Sequence, residues 1–108
     1  MILNVAKSDY EYIYFLLDEF SDYLQTLNYA AFTINSYNKD LREFIRFLKK
    51  KDIAFEEANH YSIRDYLSFL KSKNLTNATV SRHLSSIKKF YKYMLRNGYS
   101  DKTRIVNM

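Results

Sequence analysis

The sequence predicts an all-α fold, a compact domain of four helices, and three observations lead to that prediction. The 108-residue chain has no proline and a single glycine, the residues that sheet proteins need for their many turns. Apolar residues make up 47% of the chain and aromatic residues 18%, which is ample for one hydrophobic core. In four stretches the apolar side chains recur at the spacing of a helix face.

The first predicted helix covers residues 9–27. Ser8 and Glu11 have the spacing of a capping box, in which each side chain accepts a hydrogen bond from the other residue's backbone N–H. The apolar stripe that follows consists of Leu16, Phe20, Tyr23, Leu24 and Leu27.

The second predicted helix covers residues 34–50, with Thr33 as its expected N-cap. Its apolar stripe consists of Tyr37, Leu41, Phe44 and Leu48. Asp40 lies on this apolar side, and a buried carboxylate requires a partner. We therefore expect an interhelical salt bridge from Asp40, with a lysine of the fourth helix as the candidate partner.

The third and fourth predicted helices cover residues 63–73 and 77–97, and Ser62 and Thr76 are their expected N-caps. Gly98, the single glycine, follows the fourth helix at the position where a left-handed residue commonly ends a helix.

One domain is thus expected over residues 9–98. Residues 1–8 are expected to form an N-terminal arm, and residues 99–108 the start of a linker or tail.

Charge is sorted along the chain. Residues 1–31 contain one basic and five acidic side chains, whereas residues 32–51 contain six basic and two acidic ones. Residues 52–76 have a net charge of −1, and residues 77–108 contain seven basic side chains and one acidic. The fold should therefore have a positive and a negative side, which favours a polyanionic partner.

The second and fourth helices each place cations opposite their apolar stripe. At about 100° per residue, the sector within about 60° of Arg42 holds Asn35, Lys39, Arg46 and Lys49. The same sector around Arg82 holds Thr79, Ser85, Ser86, Lys89, Tyr93 and Arg96. Such cations reach DNA phosphates. Short polar residues at helix N-termini allow backbone N–H groups to bind phosphate. Arg82 is long enough to bind a guanine edge. One basic face also occurs on ordinary solvated helices, but two faces together with an acidic first helix favour DNA binding.

Patterns for catalysis and for metal binding are missing from the sequence. It has no cysteine, its two histidines, His60 and His83, are far apart, and it has no glycine-rich phosphate loop. We expect no cofactor, no metal and no small-molecule substrate, and no enzymatic activity from this chain alone. No apolar run approaches the roughly 20 residues of a membrane span, and we expect a cytoplasmic, nucleoid-associated protein.

The stretch from Leu16 to Lys102 resembles the N-terminal SAM-like, or core-binding, domain of phage integrases and Xer-type tyrosine recombinases. The matching elements are Thr33-x-x-x-Tyr37-x-x-Asp40-Leu41-x-x-Phe44, Ile63-x-x-Tyr66-Leu67 and Thr79-x-x-x-x-Leu84-Ser85-x-Ile87-x-x-Phe90-Tyr91. Their order and spacing carry the resemblance, which implies two crossed helical hairpins.

The resemblance also implies duplex DNA binding by the second and fourth helices, which positions a separate catalytic domain for DNA recombination and integration. Carried over by position, the DNA contacts fall at Thr33, Asn35, Ser36, Lys39, Arg42, Thr79, Arg82, His83, Ser86 and Lys89. Arg46 and Arg96 join them from the helical wheels. The first helix resembles the one that touches other recombinase protomers, and the family's catalytic residues belong to a second domain.

Two other functions stay open from the residues alone. One is a protein-interaction adaptor that acts through the acidic first helix. The other is a peripheral membrane binder that uses the basic fourth helix, which is disfavoured because the apolar face of that helix is needed for the core.

Overall fold

The computed structural model describes residues 5–98, with side chains from residue 11 onward, and within that range it forms four α-helices and no strand. The helices are α1 (Val5–Thr26), α2 (Ala31–Lys50), α3 (His60–Ser72) and α4 (Asn77–Arg96), and a 3₁₀ turn at Phe55–Glu57 lies between α2 and α3. The predicted all-α fold of four helices is confirmed. The predicted tail over residues 99–108 lies outside the described residues.

Three predicted N-caps, Ser8, Thr33 and Ser62, are wrong because their helices begin earlier than expected. α1 begins at Val5, so Ser8 lies within the helix and part of the predicted arm is helical. α2 begins at Ala31, which makes Thr33 its third residue, and the N-cap Ala30 makes no side-chain hydrogen bond. Alanine has the highest helix propensity of all residues, which favours extending α2 backwards over Ala31.

The N-termini of α3 and α4 are capped by side chains. Asn59 accepts hydrogen bonds from the backbone N–H groups of Tyr61 and Ser62, and the Ser62 hydroxyl accepts one from the Asn59 N–H in return. Ser62, the predicted cap, is thus the second half of a capping box rather than the N-cap. Thr76 caps α4 as predicted, since its hydroxyl accepts a hydrogen bond of 3.2 Å from the N–H of Thr79.

All four helices are followed by a residue in the left-handed region, two positions beyond the last helical residue. These residues are Asn28 (φ 65°), Asp52 (φ 58°), Asn74 (φ 63°) and Gly98 (φ 75°). The prediction for Gly98 is confirmed. After α2, the N–H of Ile53 donates to the carbonyl of Leu48 at 2.9 Å, which satisfies a carbonyl of the last helical turn.

α2 is the central helix and packs against α1, α3 and α4. Its buried residues are Asp40, Leu41, Phe44, Ile45, Phe47 and Leu48. Aromatic contacts also join the helices: Phe20 of α1 lies 5.3 Å from Phe90 of α4, and Phe44 of α2 lies 5.1 Å from Tyr66 of α3, measured between ring centroids. This packing fixes which sides of α2 and α4 remain open to solvent.

Within residues 5–98, no helix combines the length and the low polarity that crossing a bilayer requires.

Candidate nucleic-acid interface

The basic face of α2 points away from the core, as its sequence pattern indicates. Asn35, Lys39, Arg46 and Lys49 are exposed, and Arg42 is half-buried. Thr33 and Ser36, at the N-terminal end of the helix, are also half-buried. The structure therefore keeps all of the predicted α2 contacts at least partly accessible to a ligand.

Arg42 leans toward α1 at the edge of this face. Its Nε donates to the side-chain oxygen of Asn38 at 2.7 Å, and its Nη2 lies 3.9 Å from the carboxylate of Asp18. The guanidinium also lies 5.2 Å from the centre of the Tyr14 ring. Since surface ion pairs are weak, on the order of 0–1 kcal/mol, Arg42 can exchange Asp18 for another anion at little cost.

The exposed side of α4 differs from the predicted one. The structure exposes Ser81, Arg82, Ser85, Lys92 and Arg96, and it half-buries Lys88 and Lys89. The centre of this sector lies roughly 60° around the helix from Arg82, the centre of the basic face that the sequence predicts. Ser81 was missed, because the helical wheel alone does not show which neighbour covers the opposite flank.

The Arg82 side of α4 faces α2, where a buried ion pair joins the two helices. Asp40 has no exposed surface. The Nε of Arg82 donates to Asp40 Oδ2 and its Nη2 donates to Oδ1, both at 2.9 Å. The interhelical salt bridge expected for Asp40 is thus confirmed, but the partner is an arginine rather than a lysine. An arginine provides two parallel hydrogen bonds that a lysine cannot.

Ser86 and His83 belong to this buried network and not to the surface, which corrects their assignment as DNA contacts. Ser86 has no exposed area and His83 is 2% exposed. The hydroxyl of Ser86 lies within donating distance of Asp40 Oδ2, at 3.1 Å, and Nε2 of His83 lies 3.3 Å from Oδ1. A carboxylate on α2 therefore draws these polar residues of α4 inward.

The surroundings of His83 favour its neutral form. Burial lowers its pKa from the ordinary value of 6.5, and the nearby cations Arg82 and Lys73 lower it further, against the opposing effects of Asp40 and Glu43. The hydrogen-bond partners fit one neutral tautomer, in which Nε2–H donates to Asp40 and Nδ1 accepts from the Tyr66 hydroxyl at 3.4 Å. Burial also raises the pKa of Tyr66, which keeps that hydroxyl protonated.

Arg82 itself remains partly accessible, with 45% of its side chain exposed. The hydrogen bond to Asp40 raises the pKa of Arg82, so its charge is permanent. Of the other predicted α4 contacts, Lys89 is half-buried with its Nζ 6.0 Å from the centre of the Tyr29 ring, and Arg96 is exposed. Thr79 accepts a hydrogen bond of 3.0 Å from the hydroxyl of Thr76.

One group of side chains has the composition of a metal site, but the Asp40–Arg82 ion pair accounts for its arrangement. Asp40, Glu43 and His83 bring possible ligand atoms within 4.8 Å of one another. The guanidinium of Arg82 already binds both carboxylate oxygens of Asp40 and supplies the positive charge there.

A groove of about 710 Å³ runs between α2 and α3, with Phe47 and Phe69 among its lining residues. Lys51 and Lys73 lie over these two rings, with Nζ 5.6 Å and 4.9 Å from the ring centres. Cation–π contacts thus hold a lysine at the C-terminal end of α2 and of α3. The positive charge of each lysine suits the negative end of the helix dipole.

α1 presents the opposite charge. Glu11, Asp18 and Asp22 are exposed on it. Tyr12 and Phe15 are also exposed, by 43% and 54%, and their rings are stacked 6.3 Å apart. The described part of the chain therefore has an acidic, partly aromatic surface on α1 and basic surfaces on α2 and α4.

Comparison with known proteins agrees with this architecture. The family model described as "Phage integrase, N-terminal SAM-like domain" matches residues 17–98. A tyrosine recombinase XerC of Bacillus pumilus is 40% identical over 83 residues, which cover 75% of this chain and 27% of that protein. A tyrosine recombinase XerC of Listeria monocytogenes is 37% identical over 83 residues, covering 75% of this chain and 28% of the relative. No solved structure gives a significant match.

Proposed function

Since this chain belongs to the family of N-terminal SAM-like domains of phage integrases and tyrosine recombinases, we propose that it binds duplex DNA through α2 and α4. The proposed DNA face consists of Lys39, Arg42 and Arg46 on α2 and Arg82, Lys89, Lys92 and Arg96 on α4. The observation that carries the proposal is the accessibility of these cations on two helices that the Asp40–Arg82 ion pair joins directly.

Electrostatics and size support this face. Its side chains are long enough to reach phosphates, whose neutralisation releases counterions and drives binding. An α-helix fits the major groove, which is about 12 Å wide. The acidic surface of α1 would repel DNA, so the sorted charges favour one orientation of the domain on the duplex.

The predicted DNA contacts near the N-termini of α2 and α4 are polar and uncharged: Thr33, Asn35, Ser36 and Thr79. Positive helix ends and short polar side chains at such positions suit phosphate oxygens. They add hydrogen bonds rather than charge, so their removal should leave the salt dependence of binding unchanged.

The chain spans about a quarter of the length of the curated relatives it matches. We propose that the domain positions a catalytic domain on DNA for site-specific recombination and integration, in a cytoplasmic, nucleoid-associated protein. Its partners in this role are duplex DNA and other recombinase protomers, and the exposed aromatic and acidic surface of α1 is the proposed protomer contact.

The DNA face can be tested with two triple variants that remove the same charge. One carries Lys39→Ala, Arg46→Ala and Lys92→Ala, and the control carries Arg64→Ala and Lys71→Ala on α3 and Lys73→Ala at its C-cap. Affinity for a fluorescently labelled duplex is measured by anisotropy over a series of KCl concentrations. For the wild type, a plot of log affinity against log salt concentration should have a slope of about −0.9 for each neutralised phosphate. We expect about 3–6 neutralised phosphates.

The DNA-face variant should lose about one unit of slope for each contact removed, and the α3 control should retain nearly the wild-type slope. Equal losses in the two triple variants would show that only net charge matters and would contradict the proposed face.

A further inference from the structure

We propose that Asp40, which has no surface to offer DNA, acts as a positioning residue that orients Arg82 for its contact with the duplex. This inference rests on the proposed function and extends it to a residue of the buried network. It assigns a DNA-binding role to an acidic side chain, which simple electrostatics would count as unfavourable.

The first argument is the number of donors that the ion pair leaves available. A guanidinium has five N–H donors, and Asp40 binds one on Nε and one on Nη2 of Arg82. Three donors remain, one on Nη2 and two on Nη1. One N–H of Nη2 and one of Nη1 form a second edge of the guanidinium. Arg82 can therefore hold Asp40 by one edge and bind a phosphate or a guanine by another.

The second argument is that the carboxylate is itself held in place. Ser86 and His83 contact Asp40 from α4, at 3.1 Å and 3.3 Å, and Tyr66 of α3 contacts the other ring nitrogen of His83. The position of Asp40 is thus set by three helices. A long side chain that is ordered before binding loses less entropy when it meets its ligand, so this network favours the complex.

The third argument is the contrast in exposure. Asp40 is entirely buried, whereas 45% of the Arg82 side chain is open to solvent. Any effect of Asp40 on DNA affinity must therefore act through its neighbours or through its charge. These two routes predict opposite signs, because removal of a negative charge strengthens attraction to DNA while release of Arg82 weakens the contact.

The test replaces the carboxylate by its neutral isostere. Asp40→Asn is compared with the wild-type chain and with Asp22→Asn, which removes an exposed charge on α1. Binding of a labelled mixed-sequence duplex is followed by anisotropy, and circular dichroism at the same temperature confirms that each variant is folded. We expect Asp40→Asn to bind about tenfold more weakly and Asp22→Asn to bind as tightly as the wild type or slightly more so.

A second variant keeps the charge of the pair, because removing one partner of a buried ion pair destabilises a domain. Arg82→Lys retains the cation but not the fork that binds two carboxylate oxygens. It should also bind about tenfold more weakly, and Asp40→Asn combined with Arg82→Lys should bind no more weakly than either single variant.

The outcomes separate this inference from the proposed function. If the wild-type chain does not bind the duplex, both the proposed DNA binding and the positioning role of Asp40 are wrong. If it binds, and Asp40→Asn and Arg82→Lys bind as tightly as it does or more so, the positioning role is overturned while DNA binding stands.

Discussion

At the scale of single residues, the Asp40 network illustrates how polar groups are accommodated in a core. An unpaired carboxylate in an apolar interior costs several kcal/mol of folding free energy or more. Here Arg82 binds both carboxylate oxygens of Asp40, Ser86 contacts Oδ2 and His83 contacts Oδ1. Within the described residues, no buried side-chain nitrogen or oxygen is without a hydrogen-bond partner. The network therefore joins α2 to α4 without leaving an unsatisfied group behind.

This network makes the stability of the domain depend on pH. Burial lowers the pKa of His83 in the folded state, so the folded domain resists a proton that the unfolded chain accepts. The contribution is fully present above the unfolded pKa of about 6.5 and is lost as the pH falls from there toward the lower folded value. Urea unfolding of the wild type should show this loss over the interval below about pH 6.5.

His83→Gln should unfold more easily at every pH but lose less free energy of unfolding over that interval. His60→Gln replaces an exposed histidine and should keep the pH dependence of the wild type. If the free energy of unfolding falls by the same amount over that interval in the wild type and in His83→Gln, His83 is not the source of the pH dependence.

At the scale of the helices, start and stop signals come from different residues. Thr76 and Asn59 begin α4 and α3 with side-chain hydrogen bonds. The stops are left-handed residues after each helix, three of them Asn or Asp, which adopt this conformation more readily than other side chains do. The sequence predicts only the stop at Gly98, although Asn28, Asp52 and Asn74 each precede an apolar residue in the same arrangement.

Two threonines provide a matched test of capping. Thr76→Ala should lower the free energy of unfolding by about 1 kcal/mol, because it removes the side-chain acceptor at the start of α4. Thr33→Ala, at the cap position that the sequence suggested for α2, should cost much less, since the structure places Thr33 inside the helix. Chemical denaturation measures both, and equal losses would contradict the observed start of α2.

At the scale of the whole molecule, the exposed acidic side chains of α1 lie on a different helix from the exposed cations of α2 and α4. Acidic groups and the exposed rings of Tyr12 and Phe15 lie on α1, while the proposed DNA face lies on α2 and α4. This arrangement supports the proposal that one surface binds DNA and a second contacts another protomer. Exposed apolar surface rimmed by charge is typical of protein interaction sites.

Phe15→Ser should therefore weaken self-association, because burial of that ring would stabilise a contact between protomers. Sedimentation velocity over a series of protein concentrations measures this. Phe32→Ser, which changes a still more exposed ring on α2 (81%), serves as the control and should sediment like the wild type. Identical behaviour of the two variants would argue against the α1 surface.

The sequence by itself determined the number and order of the helices, the core stripe of α2, the sidedness of its cations and the family resemblance. These follow from periodicity and local chemistry, which act within one helix. Only the tertiary structure decided which sector of α4 stays exposed, and it placed Ser86 and His83 inside the domain. The physical reason is that burial depends on the neighbouring helix: Asp40 on α2 is buried and needs hydrogen-bond donors, and α4 supplies them from Arg82, His83 and Ser86, of which only Arg82 keeps an exposed part.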